Sequence, residues 1–132
     1  MVIAGQSLLL QDVGNQFAAH DKLENVDAER FLPCHAPSCD KNGLAKLIAV
    51  NRGQMERAAD ALRKSLKEAG NKGLDGSGAV AAIANGLEML FTSLQSYWLA
   101  HLTTHAYLRW LYGLGEIAPE LRDNKLFWMW VL

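Results

Sequence analysis

The sequence predicts an all-α fold: a single-domain helical bundle of about four to six helices, with a long apolar helix in the C-terminal half. Three observations carry this expectation. Leu and Ala number 21 and 18, against 13 β-branched Val, Ile and Thr together, and β-branched side chains lose more freedom in a helix. Apolar residues recur at helical spacing through residues 43–69. A stretch from Ala79 to Tyr112 carries only Glu88 and Arg109 as charged residues. At 132 residues, half of them apolar, residues 1–132 suit one domain with a sizeable core.

A first helix is expected over about residues 3–20, where Leu9, Leu10, Val13 and Phe17 share a face. Asn25-Val-Asp-Ala-Glu reads as a cap and a short helical turn ending near Phe31-Leu32. Residues 33–42 form a loop, because Pro33 and Pro37 disfavour helix and push the residue before each towards extended geometry. The clearest helix covers about residues 43–69. Leu44, Leu47, Ile48, Met55, Ala58, Ala59, Leu62, Leu66 and Ala69 form its apolar stripe. Asn42 or Asp40 can cap its start and Gly70 its end.

Residues 70–78, GNKGLDGSG, read as a flexible connector. A phosphate-loop reading fails there, because no Gly-Lys-Ser/Thr is present. The long apolar helix then runs from about Ala79 to Tyr112, roughly 50 Å if unbroken. That exceeds a small domain, so a break is expected near Gly86 or around His101–Thr104. A last helix is expected to start near Pro119, a good first-turn residue, and to run into LFWMWVL.

Formal charge is −1, which excludes a broad cationic field, a basic tail or an acidic solvating segment. The charge-free run Met89–Leu108 has the length of a membrane span. It also holds Thr92, Ser93, Gln95, Ser96, His101, Thr103, Thr104 and His105, which a bilayer tolerates poorly. No basic region precedes the first apolar run, and Gln6, Ser7 and Gln11 interrupt it, unlike a secretory signal. Two cysteines do not make a disulfide framework. A cytoplasmic protein is expected.

Four groups of residues are candidates for chemistry or recognition. Cys34, His35 and Cys39, with Asp40 beside them and His20 upstream, are side chains that zinc prefers. The spacing between the cysteines is C-x4-C, no second pair follows, and plain thiols are the simpler reading. His101 and His105 stand one helical turn apart, but the surrounding acids of a carboxylate-bridged metal pair are missing, so structural histidines are expected. Arg57, Arg63, Lys64 and Lys67 make a modest basic strip that suits phosphate contact, although acids interleave it. All four tryptophans lie in the last 35 residues. Trp98, Trp110, Phe127, Trp128 and Trp130 are the candidate interface, because aromatic side chains are enriched where proteins meet. Trp128 and Trp130 are expected to be covered, by the same chain or by a second one. No nucleophile elbow and no pair of catalytic acids stands out.

Asn42-Gly43-Leu44 opens a middle helix, and Tyr97 is followed thirteen residues later by Trp110 in an apolar helix. In these features and in length the chain resembles the small all-helical subunits of type III CRISPR RNA-guided effector complexes. That resemblance implies a helical subunit of a nucleic-acid-handling complex. The residues themselves favour a non-enzymatic interaction or assembly protein, binding a protein partner or its own copy through the aromatic C-terminal half. A small soft-metal-binding protein is the third reading.

Overall fold

The structure, a computed structural model, describes residues 10–34 and 36–132. Its spine is helix α2, Lys41–Ala69. The Asp40 side chain accepts the Gly43 N–H at 2.8 Å and starts the helix. Gly70, at φ +52°, ends it. Leu44, Ile48, Met55, Ala58, Ala59, Leu62 and Leu66 are all buried. Leu47 and Ala69 of the expected stripe are half-buried, and the helix begins two residues before the expected start and ends where expected.

Helix α1 spans Val13–Glu24, with Asp12 accepting the Asn15 N–H at 2.8 Å. Residues 3–9 of the expected first helix lie outside the described residues. Leu10 is buried ahead of α1, its N–H directed to Thr103 Oγ1 at 3.3 Å. The short helical turn expected after Asn25 is replaced by irregular chain, with the Ala28 N–H donating to the Val26 carbonyl at 3.2 Å and a bend at Glu29. Phe31 and Cys39 exchange both backbone hydrogen bonds, at 2.8 and 3.0 Å. This bridge ties the two ends of the proline loop together and leaves no helical ladder there.

The long apolar helix of the sequence reading is two helices, α3 Gly76–Gly86 and α4 Leu94–Gly113. The chain breaks at Gly86, while His101–Thr104 stays helical. At Gly86, α3 comes so close to α2 that an added Cβ would collide with the Ala61 Cβ. Glu88 then takes φ +55°, which a continuing helix forbids. Ser93 opens α4 by accepting the Ser96 N–H at 3.1 Å.

The expected connector is ordered: a 3-10 turn at Gly70–Lys72, strand β1 at Leu74–Asp75, and the first residues of α3. Asp75 caps α3 through the Gly78 N–H at 2.8 Å. Gly73, at φ +67°, is needed because a Cβ there would lie 2.8 Å from the Trp128 carbonyl oxygen.

The expected last helix is a hairpin, β2 Ile117–Arg122 and β3 Lys125–Trp130. Both strands and β1 form an antiparallel sheet of order β1-β3-β2. The fold is therefore not all-α. Among the described residues it has four α-helices and a three-stranded sheet. Asp123 and Asn124 carry φ of 49° and 63°, the left-handed pair that a two-residue hairpin turn requires. Pro119 sits on edge strand β2, where a missing N–H is tolerated. A short apolar run such as LFWMWVL has no period that separates strand from helix.

The core joins all these elements. Met55, Leu62 and Leu66 of α2 meet Ile83 of α3, Leu108 and Leu111 of α4, and Ile117 and Trp128 of the sheet. No helix among the described residues is long and apolar enough to cross a membrane.

Candidate functional site

Helix α4 has two unlike faces. Ala106, Tyr107, Leu108 and Leu111 turn inward and are buried. Burial pushes the Tyr107 phenol far above its ordinary range. On the outer side, Leu94, Trp98 and Leu102 are 70%, 58% and 62% exposed. They recur at every fourth residue, so they stand above one another on a single stripe. Leu90, in the segment between α3 and α4, is 92% exposed.

A run of rings borders this stripe. Phe91 meets Tyr97 edge-on at 5.5 Å between centroids. Tyr97 meets His101 at 4.7 Å and Trp98 meets His101 at 5.6 Å. Burial, and next the neighbouring His105, hold the His101 imidazole below its ordinary pKa. The ring is therefore neutral at pH 7. No Asp, Glu, Lys or Arg occurs from Met89 to Leu108.

The five aromatic candidates divide. Trp98 is exposed on the stripe. Trp110 packs on Phe17 at 5.6 Å, with the Arg63 guanidinium 5.3 Å from its ring. Phe127 lies under Arg122 at 5.0 Å. Trp128 is in the core, 6.2 Å from the Tyr112 ring of α4. Trp130 is half-buried, with Lys67 Nζ 4.5 Å from its centroid. These last four are covered largely by their own chain. Leu90, Leu94 and Leu102 were not singled out in the sequence, although the spacing of Leu94, Trp98 and Leu102 was there to read.

The basic strip is engaged within the chain. Arg63 donates through Nε and Nη2 to both carboxylate oxygens of Glu116, at 2.7 and 2.8 Å. This bidentate pair lowers the Glu116 pKa and raises that of Arg63, in each case chiefly through the hydrogen bond. Arg57 reaches the Gly86 carbonyl at 3.4 Å, and Lys64 lies 4.0 Å from Glu68. Cys34 is exposed, Cys39 is half-buried and both thiols are free. His35 lies outside the described residues. Among the described ones, no three His, Cys, Asp or Glu side chains gather as metal ligands.

Taken with its fold, this surface belongs to a mixed helix-and-sheet domain in which a helix-turn-helix pair, α3 and α4, is followed by a β-hairpin. Such a fold is found in the crystal structure of a beta-lactamase domain protein from Burkholderia ambifaria, matched with a TM-score of 0.70 at 17% identity. The match covers 86% of this chain and 32% of that one, so this chain spans about a third of its structural neighbour's length. At this identity the likeness is one of fold. No family model matches the chain, and a search of curated proteins found no match. The resemblance to type III CRISPR small subunits does not hold, since the structural match lies elsewhere and the fold includes a sheet.

Proposed function

We propose that this chain is a non-enzymatic interaction domain that docks a protein partner through the outer face of α4. The observation that carries this reading is the exposed Leu94–Trp98–Leu102 stripe. Fully burying one large apolar side chain is worth about 1.5–3 kcal/mol. A stripe of three therefore supplies a compact central anchor for an interface.

A protein surface fits this face better than a nucleic acid. Helix-turn-helix proteins that read DNA place Arg, Lys, Asn or Gln on the second helix and many cations around it. Here the second helix exposes Leu94, Trp98 and Leu102, with Gln95, His105 and Arg109 as its exposed polar or basic side chains besides. Its one cation, Arg109, donates to the Gln11 carbonyl at 3.1 Å. The structural neighbour adds support of another kind. In that protein the matched region is about a third of a longer chain, so there the fold has further polypeptide attached. Two free thiols suit a reducing, cytoplasmic setting.

The test places a photo-crosslinking residue at position 98 and, as control, at exposed Lys64. Position 98 should give a discrete protein adduct in cells that position 64 does not. Leu102→Asp should abolish the adduct while leaving the melting temperature unchanged. Identical adduct patterns at both positions would overturn the proposal.

A further inference from the structure

The exposed row on α4 has a symmetry of its own. Leu94, Trp98 and Leu102 read Leu–Trp–Leu in either direction along the helix, with Trp98 at the centre. A contact between two copies about a two-fold axis needs this property, because the same patch must serve as both surfaces. Turned end for end, Trp98 of one copy meets Trp98 of the other, and each Leu94 meets a Leu102. Bulky side chains then face bulky apolar side chains along the whole row.

The geometry of helices allows this pairing. Residues four apart form a ridge inclined to the helix axis, and two such ridges lie side by side when the helices cross at about −50°, the commonest packing class. The antiparallel sense also sets the two macrodipoles against each other. Like copies carry like charges, so a self-contact must keep them apart. No Asp, Glu, Lys or Arg occurs from Met89 to Leu108, a segment that contains the whole row. His105 and Arg109 lie beyond it towards the C-terminal end, where crossed helices diverge. The opposite face of α4, with Tyr107, Leu108 and Leu111, is already buried in its own chain, so the row is free to meet a second molecule without opening the fold.

We propose that the partner of the α4 face is a second copy of this chain, held by an antiparallel two-fold contact centred on Trp98. This deepens the docking reading and rests on it. The row is short, about 12 Å from Leu94 to Leu102 at 1.5 Å per residue. A standard stable interface covers about 800 Å² on each partner. The contact is therefore a reversible one, with a dissociation constant between about 1 μM and 1 mM.

Sedimentation equilibrium of the full chain over that concentration range should show monomer passing to dimer. Trp98→Asp should remain monomeric throughout with an unchanged melting temperature. Leu121→Asp, at an exposed apolar position of β2, should dimerise like wild type. The antiparallel register is read by disulfide formation in a Cys34→Ser, Cys39→Ser background. Mixed Leu94→Cys and Leu102→Cys chains should cross-link to each other at least about tenfold faster than either does to itself, because a disulfide needs Cα atoms about 4.4–6.8 Å apart. A monomeric wild type, a Trp98→Asp chain that still dimerises, or self-linked pairs forming as fast as the mixed pair would each overturn the proposal. Photo-crosslinking at position 98 separates the two readings. A monomer whose adduct contains a different protein refutes the second copy and leaves docking intact, whereas a monomer with no discrete adduct refutes both.

Discussion

Replacing Glu116 by Gln removes one charge from the bidentate pair that ties α2 to the start of β2. The side chains of Arg63 and Glu116 are 25% and 16% exposed, so the pair lies between surface and interior. Exposed pairs are worth about 0–1 kcal/mol, and breaking a buried one costs about 3–5 kcal/mol. Partial exposure and the good geometry place the expected loss at about 1–2 kcal/mol. For a domain of this length that is a fall in melting temperature of roughly 4–8 °C. The pH dependence has a definite sign. The Glu116 pKa is lowered in the folded protein, so the unfolded state takes up the proton first as pH falls. The stabilisation is present above the ordinary carboxylate value of 4.5 and disappears as pH drops through the lower folded value. Thermal denaturation of wild type and Glu116→Gln should therefore differ at pH 7 and converge at strongly acid pH. A double-mutant cycle with Arg63→Gln isolates the pair. A coupling energy under about 0.5 kcal/mol, or a gap in melting temperature that persists unchanged into acid, would refute the reasoning.

Two other perturbations test the helical core. Burial lowers the His20 pKa from 6.5, so stability should decline as pH falls from 6.5 through the folded value; His20→Gln should flatten that part of the stability–pH curve, measured by urea unfolding. At Gly86 an added side chain meets Ala61, so Gly86→Val should cost about 1–3 kcal/mol through overpacking. Ala61→Gly should restore part of that loss, and denaturation of the double variant showing no recovery would count against the α2–α3 contact.

Part of this architecture was legible along the chain. The stripe from Leu44 to Leu66 and the punctuation by Asp40 and Gly70 located α2 to within two residues of its start, because helix period and capping are local properties. Gly86 was one of two marked break points, but the close approach of Ala61 from another helix, which requires glycine there, was not visible along the chain. The candidate surface was half legible: Trp98 was singled out, but so were four aromatics that the fold turns inward or covers.

Composition, charge balance and helical periodicity by themselves determined that this is a helix-rich chain of single-domain length with a strong central helix. They could not determine the sheet. The LFWMWVL segment is apolar on every face, and its Leu, Phe, Trp and Met side chains suit either a buried helix or a strand. Two things decided for the strand. Asp123 and Asn124 accept left-handed backbone and reverse the chain, and β1, from about fifty residues earlier, supplies a second edge that pairs Leu74 with Trp128. That pairing links parts of the chain far apart in sequence. Its stabilisation comes from hydrogen bonds and burial between residues distant in sequence, which no local pattern encodes, and that is why tertiary structure alone could decide it.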